Sequence, residues 1–297
     1  MSAATMSGLT PSNRKSTRKA LGQHGYARVT RTIVYVLLAG YGLISIYPFL
    51  WMVSASLKTD LDMLTDSSLL PANPTTATLA TTWGQLNFFQ FFGNSLTVTL
   101  STVAGVLVVY SLASYALGVL RFPGSVTIYR AFMLLLFVPG IVVLLPIVLL
   151  ENNLGILGTH FGLILPLVNG TAPLAILLLT NAFRSVPPEL REASLVDGAS
   201  EFRVFWSIYL PSVRPALATI ALLTAIPTWN EYILTSVSLN DAALYTLPLG
   251  LNQLASSTVL QYNQLMAGAL IVVIPVIIAF LSLQRYFVNG LSGAVKG

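Results

Sequence analysis

Six long apolar stretches divide the chain, each bounded by short polar segments. Residues 33–54, 94–120, 131–150, 161–183 and 265–283 carry no charged side chain, and 215–236 carries one, Glu231. A membrane-spanning helix needs about 20 mostly apolar residues, so the pattern predicts an all-α membrane protein with six transmembrane helices. Their expected positions are about 33–54, 94–120, 130–150, 161–183, 215–236 and 265–285. Residues 1–32 then form a polar leader, disordered at its start, and 286–297 a short tail. Several stretches hold breakers, among them Pro139, Gly140, Pro166, Pro173, Pro227 and Pro275. Inside a membrane bundle these are tolerated, because neighbouring groups satisfy the freed backbone. The first apolar run is 22 residues long. The apolar region of a signal peptide has about 7–15, so the run reads as a retained first span.

The basic residues set the orientation. With the amino terminus inside, 14 of the 15 Lys and Arg fall on the inner side, and only Lys58 lies outside. Positive residues concentrate on the cytoplasmic side of membrane proteins, so both termini are expected in the cytoplasm. Charged residues make up 8% of the chain, against about 25% in a soluble domain. That deficit excludes a soluble enzyme and a disordered chain. It also turns the net charge of +5 from a nucleic-acid signal into inner-loop charge. The chain has no Cys, which removes disulfides and thiol chemistry. His24 and His160 stand apart in sequence and read as loop residues, and no metal site is expected. In the first outer loop, Phe88, Phe89, Phe91 and Phe92 precede the second span. They read as an interfacial aromatic belt or as a surface for a partner.

The inner loop at 184–214 departs from the rest. It holds four of the ten acids and four of the 15 basic residues and is far longer than a tight connection needs. Pro187 and Pro188 suit a helix start, where Glu189 and Glu192 would lie near the positive end of the helix dipole. Leu190, Ala193 and Val196 or Asp197 recur at helical spacing and leave a short apolar stripe. Gly198 can end the helix in a left-handed conformation. A second amphipathic segment follows, with Phe202, Phe205, Trp206 and Tyr209 expected to rest in the headgroup zone. From these features alone, the loop is a helix pair lying on the membrane.

The spacing within that loop adds a resemblance. Glu192-Ala193-Ser194, then Gly198, Ile208, Leu210 and Pro211 resemble the E-A-A-x3-G-x9-I-x-L-P loop of ABC-importer permeases. Ser194 replaces the third residue of the pattern with another small one. Trp229-Asn230-Glu231-Tyr232, the run from Tyr245 to Gly250 and the tail 290–297 are similar to the carbohydrate-importer branch and its MalG-like subunits. The tail is one residue shorter than that branch's usual ending.

The resemblance implies a type I importer permease fold in a bacterial or archaeal cytoplasmic membrane. It implies a cytoplasmic coupling helix in which Glu192, Ala193, Ser194, Asp197, Gly198, Ala199 and Pro211 meet an ATPase. It also implies two nucleotide-binding subunits, which would hold ATP and magnesium, a second permease and an extracytoplasmic solute-binding protein. This chain has no G-x4-G-K-[ST] phosphate loop, so it needs no cofactor and is not itself an enzyme. The tail residues Gly293, Ala294 and Lys296 resemble an ATPase-contacting segment. Asn252, Gln253 and Ser256 resemble a loop that enters the binding protein's sugar cleft. Trp229, Asn230, Glu231 and Tyr232 supply the amide, carboxylate and aromatic groups that a neutral sugar would use. Glu231 equally suits a residue snorkelling to the outer interface. The cargo expected is a sugar or oligosaccharide, with a glycerol-phosphate-type substrate as the alternative. An intramembrane serine protease is excluded by the absence of G-x-S-x-G. A secondary transporter would need more buried ionisable relays than one Glu in six spans.

Overall fold

The computed structural model describes residues 14–85, 87–120, 122–255 and 262–294, and among them every regular element is helical. Helix α1 runs over Arg14–Ser56. Its stretch Thr30–Ser56 is apolar and long enough to span. The helical period thus begins well inside the leader and takes in His24, which is a correction to its reading as a loop residue. The run from 14 to 29 is rich in Ala, Leu, Lys and Arg, all strong helix formers. Two short helices, α2 (Asp60–Thr65) and α3 (Ala77–Gln85), fold the segment outside this span.

Helix α4 (Phe88–Tyr115) continues through a π-turn to Leu120, giving 33 helical residues. Helix α7 (His160–Arg184) is likewise continuous, although it contains Pro166 and Pro173. The third apolar stretch behaves differently. It begins as α5 (Ser125–Leu135) and resumes as a 3-10 turn and α6 (Leu144–Asn153), with a bend of 97° between the halves. Pro139 takes ψ 128° there, and Gly140 follows it. The absent amide and the residue restriction before proline both oppose helix continuation.

Beyond α7 lie α8 (Pro188–Val196), α9 (Glu201–Val204), a π-turn over Phe205–Tyr209 and α10 (Leu210–Ser212). The segment Glu201–Ser212 meets α11 (Arg214–Trp229) at 76°. The fifth stretch is interrupted at Asn230–Tyr232 and resumes as α12 (Ile233–Ser238). Helix α13 (Leu247–Ala255) precedes the final helix α14 (Tyr262–Ala294). Three described helices can span uninterrupted, and two more spans arise if each bent pair counts as one. The portion Tyr262–Ile278 of α14 is a shorter apolar helix.

The core lies where α4, α7, α11 and the loop helices meet. Val106, Tyr110, Tyr115, Ile176, Leu179, Phe183, Phe205, Tyr209 and Ile220 are buried together. Phe205 and Tyr209 therefore belong to the core, not to the headgroup zone, and both rings stand edge-on to Tyr115 at 5.1 Å. Only Phe202 and Trp206 face outward, 68% and 62% exposed. Each pair is spaced four residues apart, so the four aromatics fall on two stripes of one helical segment. In the loop after α1, Lys58 is 1% exposed. Its ammonium donates to the carbonyls of Asp66 (2.6 Å) and Ser68 (2.7 Å) and lies 3.6 Å from the Asp66 carboxylate. The Lys58 carbonyl accepts in turn from Asn263 at 3.2 Å, which ties the loop after α1 to the start of α14.

Candidate functional site

Helix α8 starts at a proline pair, with Pro187 as its cap and Pro188 in the first turn. Its end is a complete double-bonded stop. The Gly198 amide donates to the Leu195 carbonyl (3.1 Å) and the Ala199 amide to the Ser194 carbonyl (3.0 Å), the arrangement of a Schellman cap. Gly198 has φ +82° and open space around the position of a side chain. The backbone conformation, not crowding, is what calls for glycine.

One face of α8 is held and the other is left open. Leu195 and Ala199 pack on the core cluster. Arg191 forms an ion pair with Glu201, its Nε lying 3.2 Å from Oε2. The Tyr115 hydroxyl at the end of α4 donates to the same oxygen at 2.9 Å. Arg191 holds the Glu201 carboxyl below its ordinary range, and Glu201 raises the guanidinium in return. The Ser194 hydroxyl bonds its own helix at Leu190 (2.7 Å). Glu192, Ala193, Asp197 and Gly198 are exposed, alongside Leu190 and Val196, the latter 86% exposed. Ser194 and Ala199 are half-buried, and Pro211 sits half-buried in α10. The exposed set thus comprises two apolar side chains, two carboxylates and two small residues.

The other residues singled out from sequence fall at different places. The Glu231 carboxylate accepts the Leu234 amide at 2.6 Å and so caps α12 after the break. The Asn230 side chain donates back to the Ile226 carbonyl at 2.8 Å. Trp229 meets Phe92 edge-on at 5.7 Å, and Tyr232 is 38% exposed. Asn230 and Glu231 thus bond the backbone on either side of the interruption in the fifth span. Asn252 and Gln253 are exposed on α13, while Ser256 lies outside the described residues. Gly293 and Ala294 fall in the last turn of α14, and Lys296 lies outside the described residues. His160 opens α7 and its Nε2 sits 2.9 Å from the Leu244 carbonyl. It is a packed helix-end residue, which corrects its reading as part of a loop.

The phenylalanine cluster divides as well. Phe89 is 76% exposed, whereas Phe91 is 3% exposed. A side-chain carbon on Gly250 would stand 2.3 Å from the Phe91 ring, so the run from Tyr245 to Gly250 is fitted against α4. Asn94 fixes the same run by donating to the Ala243 (2.9 Å) and Tyr245 (3.0 Å) carbonyls, and the Leu247 amide donates to the Ser95 hydroxyl at 2.8 Å. The sequence reading missed Asn94, Ser95, Tyr115 and Glu201. Asn94, Ser95 and Tyr115 have partners 86 to 152 residues away, and Glu201 joins Tyr115 to Arg191, ten residues before it.

Residues 110–293 match the family described as binding-protein-dependent transport system inner membrane component. The chain belongs to this family. The matched region includes the exposed helix and its stop at Gly198. Among relatives, the permease is 33% identical to the galactooligosaccharides transport system permease protein GanQ of Bacillus subtilis, over 89% of this chain and 94% of GanQ. It is 31% identical to the arabinooligosaccharides transport system permease protein AraQ of Halalkalibacterium halodurans, over 86% and 92%. In three dimensions it resembles a chain in the crystal structure of a bacterial ABC transporter involved in the import of the acidic polysaccharide alginate. There the TM-score is 0.77 and the identity 26%, over 88% of this chain and 97% of the other. The protein is thus a multi-pass, helical permease subunit of an ABC importer, and its place is the inner membrane.

Proposed function

We propose that this permease carries a sugar or oligosaccharide inward and that α8 is the element through which an ATPase drives it. The observation that carries this reading is the exposed, rigidly held α8, with Glu192, Ala193, Asp197 and Gly198 free of the fold on one side. A helix that transmits force must be stiff and accessible, and Arg191, Glu201 and Tyr115 supply the stiffness. In this scheme two ATPase subunits bind ATP and magnesium, close, and draw the coupling helices of this chain and a second permease together. The spans then expose the passage outward by alternating access, and hydrolysis resets them. Both termini and α8 face the cytoplasm, while the connections after α1, α6 and α12 face outward. A solute-binding protein delivers the cargo there, against Asn252, Gln253 and Ser256, and Gly293, Ala294 and Lys296 follow the ATPases.

The carbohydrate cargo is supported by the printed functions of GanQ and AraQ and by the run from Trp229 to Tyr232. The chain itself performs no chemical step. The test is affinity purification of the tagged chain from its native membrane in mild detergent. An ATPase and a second permease should accompany it, and the reconstituted assembly should accumulate an oligosaccharide only with ATP. A chain that purifies alone and transports without ATP overturns the reading.

A further inference from the structure

A cavity of about 660 Å³ lies where the end of α7 meets the start of α5. Ser125, Val126 and Thr127 of the first turn of α5 line it, and so does Arg184 of α7. That first turn is uncapped. Gly124, its cap residue, takes φ 88° and has no side chain to offer. The amides of Ser125 and Ile128 donate to the Phe122 (3.1 Å) and Gly124 (3.0 Å) carbonyls, while those of Val126 and Thr127 have no acceptor among the described residues. Ser125 is 7% exposed, yet its hydroxyl makes no hydrogen bond and is not among the side-chain oxygens sealed from solvent. The surface that this hydroxyl keeps opens on the cavity that Ser125 lines. The Arg184 guanidinium lies 5.0 Å from the Tyr129 ring of α5 and donates to the Leu117 carbonyl at 3.4 Å. Tyr129 packs in turn on the core cluster, so the start of α5 is fixed against the end of α7. No carboxylate of the described residues pairs with Arg184, and none lines the cavity. Glu192 shares only the neighbouring cleft with Arg184.

One guanidinium, two free amides and two hydroxyls thus border one space without a counter-charge. Free amides at a helix start favour an anion, and a guanidinium matches the oxygens of a phosphate. A buried hydroxyl without a partner is otherwise uncommon. A zwitterionic headgroup would bring a cation that meets no carboxylate here. The place along the chain indicates the source of the phosphate. The charge-free stretch 131–150 begins just after this turn, and Ile128, Leu134 and Leu135 of α5 are 42%, 68% and 51% exposed. Polar donors therefore give way to bare apolar helix, as a phospholipid gives way from headgroup to chain. Basic pockets between spans on the cytoplasmic side are sites for anionic headgroups.

We propose that this cavity holds the phosphate of an anionic phospholipid of the phosphatidylglycerol class. Arg184, the Ser125 hydroxyl and the free amides of α5 take the phosphate oxygens, and the acyl chains lie along α5. The orientation given under the proposed function places the lipid in the inner leaflet, next to α8.

Val126 lines the cavity and is 55% exposed, and the chain has no Cys, so Val126→Cys places one reporter thiol at the site. The detergent-purified protein, with the subunits that accompany it, is alkylated by N-ethylmaleimide, and the label is read from the mass of this chain. Dioctanoyl phosphatidylglycerol should slow alkylation about tenfold. Dioctanoyl phosphatidylcholine and inorganic phosphate at the same concentration should leave the rate unchanged. Arg184→Gln should raise the lipid concentration that gives half-protection about tenfold, the scale of one hydrogen bond to a charged group, and Arg184→Lys should raise it less. Ser125→Ala leaves the guanidinium in place and should raise it severalfold. This second variant decides the matter if melting curves show that Arg184→Gln does not fold. Absence of protection, equal protection by phosphatidylcholine, or protection that survives both Arg184→Gln and Ser125→Ala overturns the lipid site. Equal protection by inorganic phosphate overturns lipid as the source of the anion. None of these outcomes depends on the cargo, so the lipid site and the importer reading fail separately.

Discussion

At Gly198 the chain turns out of α8 with a positive φ and bare surroundings. Replacing it by alanine meets no clash, so the cost is the left-handed backbone alone, about 1–2 kcal/mol. Gly198→Ala should therefore lower the melting temperature of the detergent-purified protein modestly and fray the helix end. The larger loss should appear in ATPase co-purification. A second effect at this scale concerns Glu201. Its carboxyl is held below the ordinary value of 4.5 by Arg191, so the folded state is favoured while the group is ionised. That contribution is present above the ordinary value and is lost as pH falls through the depressed one. The pair is part-exposed, at 28% and 40%, which limits it to about 1 kcal/mol. Thermal melts from pH 7 to pH 3 should show Glu201→Gln less stable than wild type near neutrality, with the gap closing in acid. The proline start and glycine stop of α8 were legible because each acts on its own backbone. The Tyr115–Glu201 contact was not, because its members lie 86 residues apart.

Among elements, α8 offers the sharpest separation of folding from function. Val196 is 86% exposed and has no core neighbour to lose, so Val196→Asp should change stability by no more than about 0.5 kcal/mol. The same change puts a charge on the face proposed to meet the ATPase. It should cut ATPase recovery in the affinity purification severalfold while the melting temperature holds. The extent of each apolar run predicted where helices lie. It did not predict which runs stay straight. Pro166 and Pro173 sit within an unbroken α7, whereas Pro139, followed by Gly140, marks a bend of 97°. A proline in a bundle breaks a helix only where no neighbour restores the freed carbonyls, and that depends on packing. The aromatic run of the inner loop shows the same limit. Composition gave Phe202, Phe205, Trp206 and Tyr209 one role, and helical geometry divided them into a buried stripe and an exposed one.

For the whole molecule, the shortage of charge was the decisive signal, and the structure turns it into a surface. Leu37, Tyr41 and Ile44 of α1 are 66%, 72% and 73% exposed, a display that only lipid or another subunit can cover. The number of apolar runs and their polar separators were legible for this reason. The packing order was not, since α4, α7 and α11 meet through residues that share no short-range spacing. One further consequence follows from Lys58. It is the single cation of the connections proposed to face outward, and burial against Asp66 and Ser68 withdraws it from solvent. Asp60 and Asp241 remain exposed, so in the proposed orientation the outward surface of this chain presents an anionic field. A delivery protein that lands here gains by carrying lysine and arginine on its facing lobes, and its encounter is steered by long-range attraction. Stopped-flow association with the reconstituted assembly should slow steeply as ionic strength rises, and Asp60→Asn with Asp241→Asn should flatten that dependence.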